Sequence, residues 1–429
     1  VVDKFKTIDR MMIMKTILFV SPTGTLDNGA EVSIFNLMKF LAFEGYKVIN
    51  IAPTQQKVTE NDYSKRFTEC GIDCILINSQ RWWWEDAPGH LFGTEAQRAN
   101  SYRETIKKIT DVIEENKVDI VISNTVNIFQ GAVAAALKET PHFWLIHEFP
   151  ENEFAYYINK LDFIDDYSTE IFAVNGQLSE KIAELFPNRK IKSFSPYTEI
   201  DTIEPKAGKK QRIVSIGRIS ERKNQLELIQ AFENLNRSDI ELVFIGGWDE
   251  EYKKECTDHI KKNRVKNISF LGNMENPWEN LTDQDLCVFP SAMETFGLVY
   301  VEALLNGIPV ILSDNPGHSS AYEMFKFGQL YKTGNVEELT SLIETTLDNF
   351  TQVRKDAFKF ITEAKNIYEL SVVYKEIIKE IDTNDHKQEN SVRHISNLLT
   401  LDEKKSKLAR LEFKVRQKLQ RIIYKVFRK

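Results

Sequence analysis

The sequence predicts an α/β protein of two doubly wound, Rossmann-like domains that face each other across a cleft, with an amphipathic helix appended at the C-terminal end. Three observations carry this. Short apolar runs alternate with amphipathic stretches over most of the chain, the pattern of a parallel sheet covered by helices on both faces. The alternation is interrupted once, by a polar segment containing two prolines, and then restarts. The last residues repeat apolar side chains every three or four positions among many lysines and arginines.

Length and composition agree. A chain of 429 residues is long enough for about two or three domains with sizeable cores. Its 42% hydrophobic and 28% charged content is ordinary for a globular protein. No apolar run reaches the roughly 18 to 20 residues that a membrane span needs, and no signal peptide is recognisable. The four cysteines, Cys70, Cys74, Cys256 and Cys287, are scattered without metal-ligand spacing, which suits a reducing, cytoplasmic setting. Net charge is −7, yet residues 403–429 hold 11 Lys or Arg against two Glu. The tail therefore has a different partner from the body.

Residues 1–13 show no periodic pattern and read as a disordered lead-in or a remnant outside the native chain. The first domain is expected over 14–196. Residues 15–21, KTILFVS, form a continuous apolar run, the mark of a buried parallel strand. The loop SPTGTLDNGAE follows, then an amphipathic helix over 30–43 closed by Glu44-Gly45. Strand, glycine loop and helix can bring the backbone at Gly29 close to a phosphate or sugar, although a plain structural turn has the same pattern. Further strands are expected at 46–52, 74–77, 119–123, 142–147 and 171–174, with a long polar helix over 95–116.

In such sheets ligands bind beyond the carboxyl ends of the strands, so candidates are read from the residues that follow them. His147 ends the run HFWLIHEFP; it is either a hydrogen-bonded structural residue or a cleft residue. Asn124 and Thr125 follow the preceding strand and are candidates for acceptor contact. Trp82, Trp83 and Trp84 lie in a loop, where they either pack locally or offer an aromatic platform, centred on Trp83, to an acceptor sugar or a lipid.

Residues 197–210 suit an interdomain linker. The second domain follows over 211–365, with strands expected at 212–217, 241–246, 268–272, 285–290 and 309–313. It opens with IGRISERKNQLELIQAF, in which Arg218 and Lys223 are two cations five residues apart at a strand end. They can converge on one diphosphate, where fixed positive charge stabilises the negative charge that grows on a departing phosphate; surface charge with a helix cap is the plainer reading.

Residues 290–309, PSAMETFGLVYVEALLNGIP, are the organising stretch. They read as the end of a strand, a polar loop, a short apolar helix and a Gly-x-Pro stop. With the helix starting near Gly297, Glu294 lies in the loop and Glu302 on the second turn, so both carboxylates can face one cleft. The amides of Phe296, Gly297 and Leu298 are then free at the helix N-terminus, where a phosphate or sugar oxygen is favoured. A solvated helix face would also explain Glu302.

This stretch resembles the signature of family 4 retaining glycosyltransferases of the GT-B fold: Glu, seven residues, Glu, with Phe-Gly just after the first Glu and Gly-x-Pro just after the second. The wider resemblance runs from about residue 15 to about residue 380. It implies transfer of a sugar from a nucleotide-sugar donor to an acceptor hydroxyl with retained anomeric configuration. Glu294 would contact the sugar hydroxyls, Glu302 the ribose hydroxyls, Arg218 and Lys223 the diphosphate, and His147 the sugar near its reacting carbon. The leaving phosphate would take the acceptor proton. No cofactor and no metal is implied, and the nucleotide sugar is a substrate. Residues 366–382 would form a helix crossing back to the first domain.

The chain departs from the family pattern in four places. Asn28 replaces the first glycine of a Gly-Gly pair, which a residue tolerant of the left-handed conformation can do. Asn224 stands where Gly is frequent, and Gly317-His318 stands for Gly-Gly. Glu323 is displaced by one residue and is left out of the site.

Residues 383–394 read as a flexible polar linker and 395–429 as a basic helix with Leu408, Leu411, Val415, Leu419, Ile422 and Val426 on one stripe. Such a helix suits an anionic membrane surface, reached through residues 404–429, or a packing partner; nucleic acid does not fit the acidic body. The combined expectation is a cytoplasmic enzyme attached peripherally to the inner face of the cell membrane. Its acceptor would be a glycan or lipid-linked glycan in bacterial surface-polysaccharide synthesis. Two rivals are a nucleotide-sugar epimerase and a catalytically silent GT-B partner that binds glycan or stabilises a transferase.

Overall fold

The computed structural model describes residues 15–54, 57–200 and 203–393. The first domain comprises β1 (Thr16–Val20), α1 (Gly29–Phe43), β2 (Lys47–Pro53), α2 (Lys57–Glu69), β3 (Asp73–Ile77), α3 (Glu95–Asn116), β4 (Ile120–Asn124), α4 (Gln130–Lys138), β5 (His142–Ile146), α5 (Leu161–Asp166), β6 (Glu170–Val174), α6 (Gln177–Leu185) and β7 (Lys192–Phe194). Its strands pair in parallel in the order β3-β2-β1-β4-β5-β6-β7.

The second domain repeats the plan with β8 (Arg212–Ile216), α7 (Gln225–Leu235), β9 (Glu241–Ile245), α8 (Glu250–Asn263), β10 (Ile268–Phe270), β11 (Asp285–Phe289), α9 (Leu298–Leu305), β12 (Val310–Ser313), α10 (Pro316–Phe325) and β13 (Gln329–Tyr331). Its order is β10-β9-β8-β11-β12-β13, again parallel. The helices α11 (Val336–Asp348), α12 (Phe350–Ile367), α13 (Leu370–Val373) and α14 (Lys375–Thr383) complete the described chain.

The central strands are buried along their whole length, as β1, β4, β5 and β11 show. Burial on both faces explains why they read as continuous apolar runs rather than alternating ones. Each sheet reverses its winding once, between β1 and β4 in the first domain and between β8 and β11 in the second. These two reversals open the crevices in which an open α/β sheet binds its ligands. Loops that leave them are thereby placed at the site.

Most expected elements are present with ends moved by a residue or two, and α3 has the expected bounds. The short strands β7 and β13, three residues each, and helix α2 were not anticipated. Three residues are too few to display a period. Asn28 does not take the left-handed conformation: at φ −132° it is the N-cap of α1, and its side chain accepts from the Glu31 amide. A capping carboxamide therefore replaces glycine for a reason different from the expected one.

The interdomain segment is held rather than free. The Thr198 amide donates to Tyr368 Oη at 2.9 Å, Lys206 N to Leu281 O at 3.2 Å and Gly208 N to Asp283 Oδ1 at 2.8 Å. Where one helix was expected over 366–382, α12 ends at Ile367 and the short α13 and α14 follow, in contact with the first domain. Tyr374 Oη donates to Ser33 O at 2.8 Å, and Lys15 Nζ donates to Ile381 O at 2.8 Å and Asn384 O at 3.0 Å. Beyond α14 the chain is strapped to the first domain, where Asn390 Nδ2 donates to Asp166 O at 2.7 Å and Val392 N to Ala136 O at 3.3 Å. The segment expected as a flexible linker over 383–394 makes these contacts as far as Val392. The expected lead-in over 1–13 and basic helix over 395–429 lie outside the described residues. Among the described residues no helix is long and apolar enough to cross a membrane, and the four cysteines are free thiols.

Candidate functional site

Glu294 lies in the loop that follows β11, at the second domain's winding reversal. It is almost fully buried, and its two oxygens are taken by cations from the loop after β8: Lys223 Nζ at 2.5 Å from Oε1 and Arg222 Nη1 at 3.0 Å from Oε2. Burial alone would raise this carboxyl. The charges of Lys223 and Arg222 outweigh it and hold Glu294 at about 2. The loop's backbone is also tied to this cation segment, since Ala292 N donates to Arg222 O at 2.8 Å.

Arg218, expected beside Lys223, is exposed and unpaired among the described residues. Arg222, which sequence reasoning passed over, is the second cation on Glu294. The signal was present in the run Glu221-Arg222-Lys223, but only the short 3₁₀ turn over Glu221–Lys223 points neighbouring side chains at one carboxylate. Asn224 follows at φ 53°, a left-handed position that explains why Gly is frequent there and why Asn suffices.

Phe296 and Gly297 precede α9. Phe296 is buried, Gly297 has φ 95°, and Leu298 opens the helix, whose first-turn amides lie outside its own ladder. Gly29 meets this turn from the other domain: a Cβ at Gly29 would sit 3.1 Å from Leu298 Cδ1. Two glycines expected to approach a ligand therefore flank one point where the domains meet.

Glu302 faces the same interdomain region. Thr198 Oγ1 donates to its Oε1 at 3.1 Å and Trp278 Nε1 to its Oε2 at 3.0 Å. Burial raises its carboxyl, and these two donors offset part of the rise. The solvated-face reading of Glu302 does not fit this environment.

On the first domain's side, His147 follows β5 instead of ending it. It is buried, its Nε2 has no partner, and its ring stands edge-on to Phe194 with centroids 5.1 Å apart. Burial pushes its pKa down to about 3, so the ring is neutral. Glu148 beside it was not anticipated. Its Oε2 accepts from the amides of His147 (3.1 Å) and Val126 (3.2 Å), and burial pushes its carboxyl up to about 7.

Asn124 is fully buried at the end of β4, donating from Nδ2 to Ala30 O at 3.3 Å. Thr125 takes φ 72°, a conformation that a β-branched residue adopts only when its surroundings demand it. The Trp83 indole donates to Pro22 O at 2.7 Å, and those of Trp82 and Trp84 donate to Ser21 O (2.9 Å) and Val126 O (2.8 Å). All three rings wedge the 82–84 loop against the β1 and β4 loops. Trp83 thus lies beside the first domain's crevice with its polar atom already engaged.

Two doubly wound parallel domains that meet across a cleft, with a C-terminal helical segment returning to the first, form the GT-B architecture of glycosyltransferases. Residues 197–366, the second of them with the segment that leads into it, match the model of the glycosyl transferases group 1.

Among curated relatives, the chain is 28% identical over 170 residues to the capsular polysaccharide biosynthesis glycosyltransferase CapH of Staphylococcus aureus, covering 38% of this chain and 48% of that one. It is 30% identical over 151 residues to the N-acetylgalactosamine-N,N'-diacetylbacillosaminyl-diphospho-undecaprenol 4-alpha-N-acetylgalactosaminyltransferase of Campylobacter jejuni, covering 34% and 40%. The aligned stretches span less than half the length of either relative. Among solved structures, Anabaena Alr3699/HepE in complex with UDP and glucose superposes with a TM-score of 0.66 at 18% identity, over 86% of this chain and all of that one. The apo lipopolysaccharide outer core galactosyltransferase WaaB gives 0.63 at 15% identity, over 85% and 99%. At these identities the structures speak for the fold.

Proposed function

We propose that this chain is a retaining, metal-independent glycosyltransferase of the family 4 type, which moves a sugar from a nucleotide-sugar donor to an acceptor hydroxyl. The observation that carries the reading is the Glu294 carboxylate held by Lys223 and Arg222 at the second sheet's winding reversal. In the bound state Lys223, with Arg218 and Arg222 near it, faces the diphosphate, and Glu294 faces the hydroxyls of the transferred sugar. As the bond from the anomeric carbon to the phosphate oxygen breaks, negative charge moves onto the diphosphate. Cations already fixed there stabilise that state more than the ground state. The acceptor oxygen bonds to the anomeric carbon on the face the diphosphate leaves, and the leaving phosphate oxygen takes the proton of that hydroxyl. Glu302 binds the ribose hydroxyls, His147 lies against the sugar, and Asn124 and Thr125 line the acceptor side.

The acceptor we infer is a lipid-linked glycan of surface-polysaccharide or glycolipid synthesis. Its support is the name of the Campylobacter relative, which specifies a diphospho-undecaprenol substrate, and the basic periodicity of 404–429, which suits attachment to the inner face of the membrane. The test is to incubate the protein with UDP-, GDP- and ADP-sugars and undecaprenyl-diphosphate-linked glycans in EDTA, and to assign the anomeric configuration of the product by NMR. Transfer that is lost in Glu294→Ala supports the reading. Nucleotide-sugar turnover without acceptor favours an epimerase, and unchanged transfer in Glu294→Ala overturns the assignment.

A further inference from the structure

His318 stands where the resembled family has glycine, and it is fully buried. Its surroundings fix which nitrogen carries the proton. Asn315 Oδ1 accepts from the amides of Gly317 (3.1 Å) and His318 (3.0 Å), which orients the carboxamide. Asn315 Nδ2 is consequently the donor to His318 Nδ1, at 2.9 Å, and to Ser291 O, also at 2.9 Å. Ser313 O and Oγ also lie 3.2 Å from Nδ1, but the nearer group is the Asn315 donor, so Nδ1 is assigned as acceptor and the proton of the neutral ring to Nε2. That Nε2–H is buried and has no partner.

A buried donor left unmade is unusual enough to need a reason. Its location supplies one. A Cβ on Gly297 would fall 2.7 Å from His318 Cδ2 and 3.1 Å from Nε2, so the edge of the ring carrying the free N–H lies under the left-handed turn that starts α9. A Cβ on Gly317 would fall 2.4 Å from the Glu294 carbonyl, so the start of α10 is seated directly on the loop that carries the ion-paired carboxylate. The unpartnered N–H, the turn that starts α9 and the Glu294 loop are thus packed together at one point. Burial keeps the ring neutral, at about 4, although the Glu294 charge opposes the shift; an N–H donor without net charge is what results.

We propose that His318 is a donor-binding residue whose Nε2–H bonds an oxygen at the distal end of a nucleoside diphosphate sugar, either on the far phosphate or on the transferred sugar. This rests on the reading of the preceding section. It adds a contact made by a side chain that replaces glycine.

The experiment is calorimetric titration of the whole chain with UMP, UDP and UDP-glucose, and with the GMP and AMP series alongside. It uses the wild type, His318→Asn, His318→Gln and Lys223→Ala. Asn keeps an atom near Nδ1 and deletes the outer donor; Gln keeps a donor near Nε2. The expected result is a roughly tenfold affinity loss in His318→Asn, the weight of about one hydrogen bond to a charged group, with His318→Gln within about threefold of wild type and monophosphate binding unchanged. Loss for UDP and UDP-glucose alike places the contact on the phosphate; loss for UDP-glucose alone places it on the sugar. A His318→Asn protein that binds like wild type, or a His318→Gln protein that loses as much as His318→Asn, overturns the inference while leaving the transferase reading intact. Wild type that binds no nucleotide overturns the transferase reading first. If His318→Asn does not fold, the Nε2–H resonance of ¹⁵N-histidine-labelled wild type decides: a shift on adding UDP or UDP-glucose supports the contact, and no shift at saturation refutes it.

Discussion

Thr198 Oγ1 donates to Glu302 Oε1 at 3.1 Å, while the Thr198 amide donates to Tyr368 Oη at 2.9 Å. One residue of the interdomain segment thereby joins a buried carboxylate of the second domain to the segment that returns to the first. The two bonds tie the Glu302 carboxylate to the point at which the chain turns back towards the first domain.

Thr198→Val keeps the shape and removes one donor from a buried carboxylate. We expect a stability loss of about 1–3 kcal/mol. Burial raises the Glu302 carboxyl and the Thr198 bond favours its ionised form, so the loss should be larger at pH 8 than at pH 5. Urea melts of the two proteins at both pH values measure this; an equal loss at both would remove Glu302 from the explanation.

Lys223 and Arg222 should contribute unequally. Lys223 is mostly buried against Glu294, whereas the Arg222 side chain is 53% exposed. Lys223→Met leaves a buried charge short of its nearer partner and should cost about 3–5 kcal/mol. Arg222→Met should cost at most about 1 kcal/mol because solvent screens that pair. Thermal denaturation ranks them, and comparable losses would contradict the geometry.

Three glycines with different surroundings form a graded series. A methyl at Gly317 would meet the Glu294 carbonyl at 2.4 Å, and one at Gly297 would combine φ 95° with His318 at 2.7 Å, whereas Gly334 at φ 86° has open space around it. Replacement by Ala should cost about 1 kcal/mol at Gly334 from backbone strain alone. At Gly317, where the neighbour is backbone that cannot give way, the cost should reach about 3 kcal/mol. Gly297 should fall between them. The melting temperatures of the three variants test the order.

The pH dependence of stability has a definite sign. Burial raises Glu31 to about 8 and Glu148 to about 7, with Glu302 raised as well. In each case the folded protein holds a proton that the unfolded chain releases near the usual carboxylate pKa. Their stabilisation is present below that value and is lost as pH rises through the folded pKa. The melting temperature should therefore fall between about pH 4.5 and pH 8. Glu31, whose Oε1 accepts from Thr23 N and Oγ1 at 2.7 Å each, can be replaced by Gln with those bonds kept. Glu31→Gln should flatten the decline, and an unchanged slope would show that Glu31 does not hold the proton. Glu294, held at about 2, acts in the opposite sense and loses its contribution only in strong acid.

The architecture was legible from the residues alone because strands buried on both faces have no choice but to be apolar throughout. Runs such as 17–20 and 286–289 announce themselves for that reason. Strand ends in doubly wound sheets are where ligands bind, so His147, Lys223 and Glu294 could be proposed before any coordinates. Asn28 shows the limit of such reasoning: its tolerance for an unusual backbone was the right kind of argument applied to the wrong role, since capping needs a side-chain oxygen and not a left-handed turn.

Two parallel sheets, the succession of their elements and the strand-end loops that carry chemistry can be read from the residues, because periodicity and apolar runs are local properties of the chain. Only the tertiary structure decided which charges meet. Lys223 and Arg222 converge on a carboxylate some seventy positions away, Thr198 reaches Glu302, Gly29 comes up against Leu298 across the cleft, and the His318 ring edge lies beneath Gly297. These pairings depend on how two crevices, each made by a reversal in strand order, are brought face to face. That geometry belongs to the packed chain and to no single segment of it.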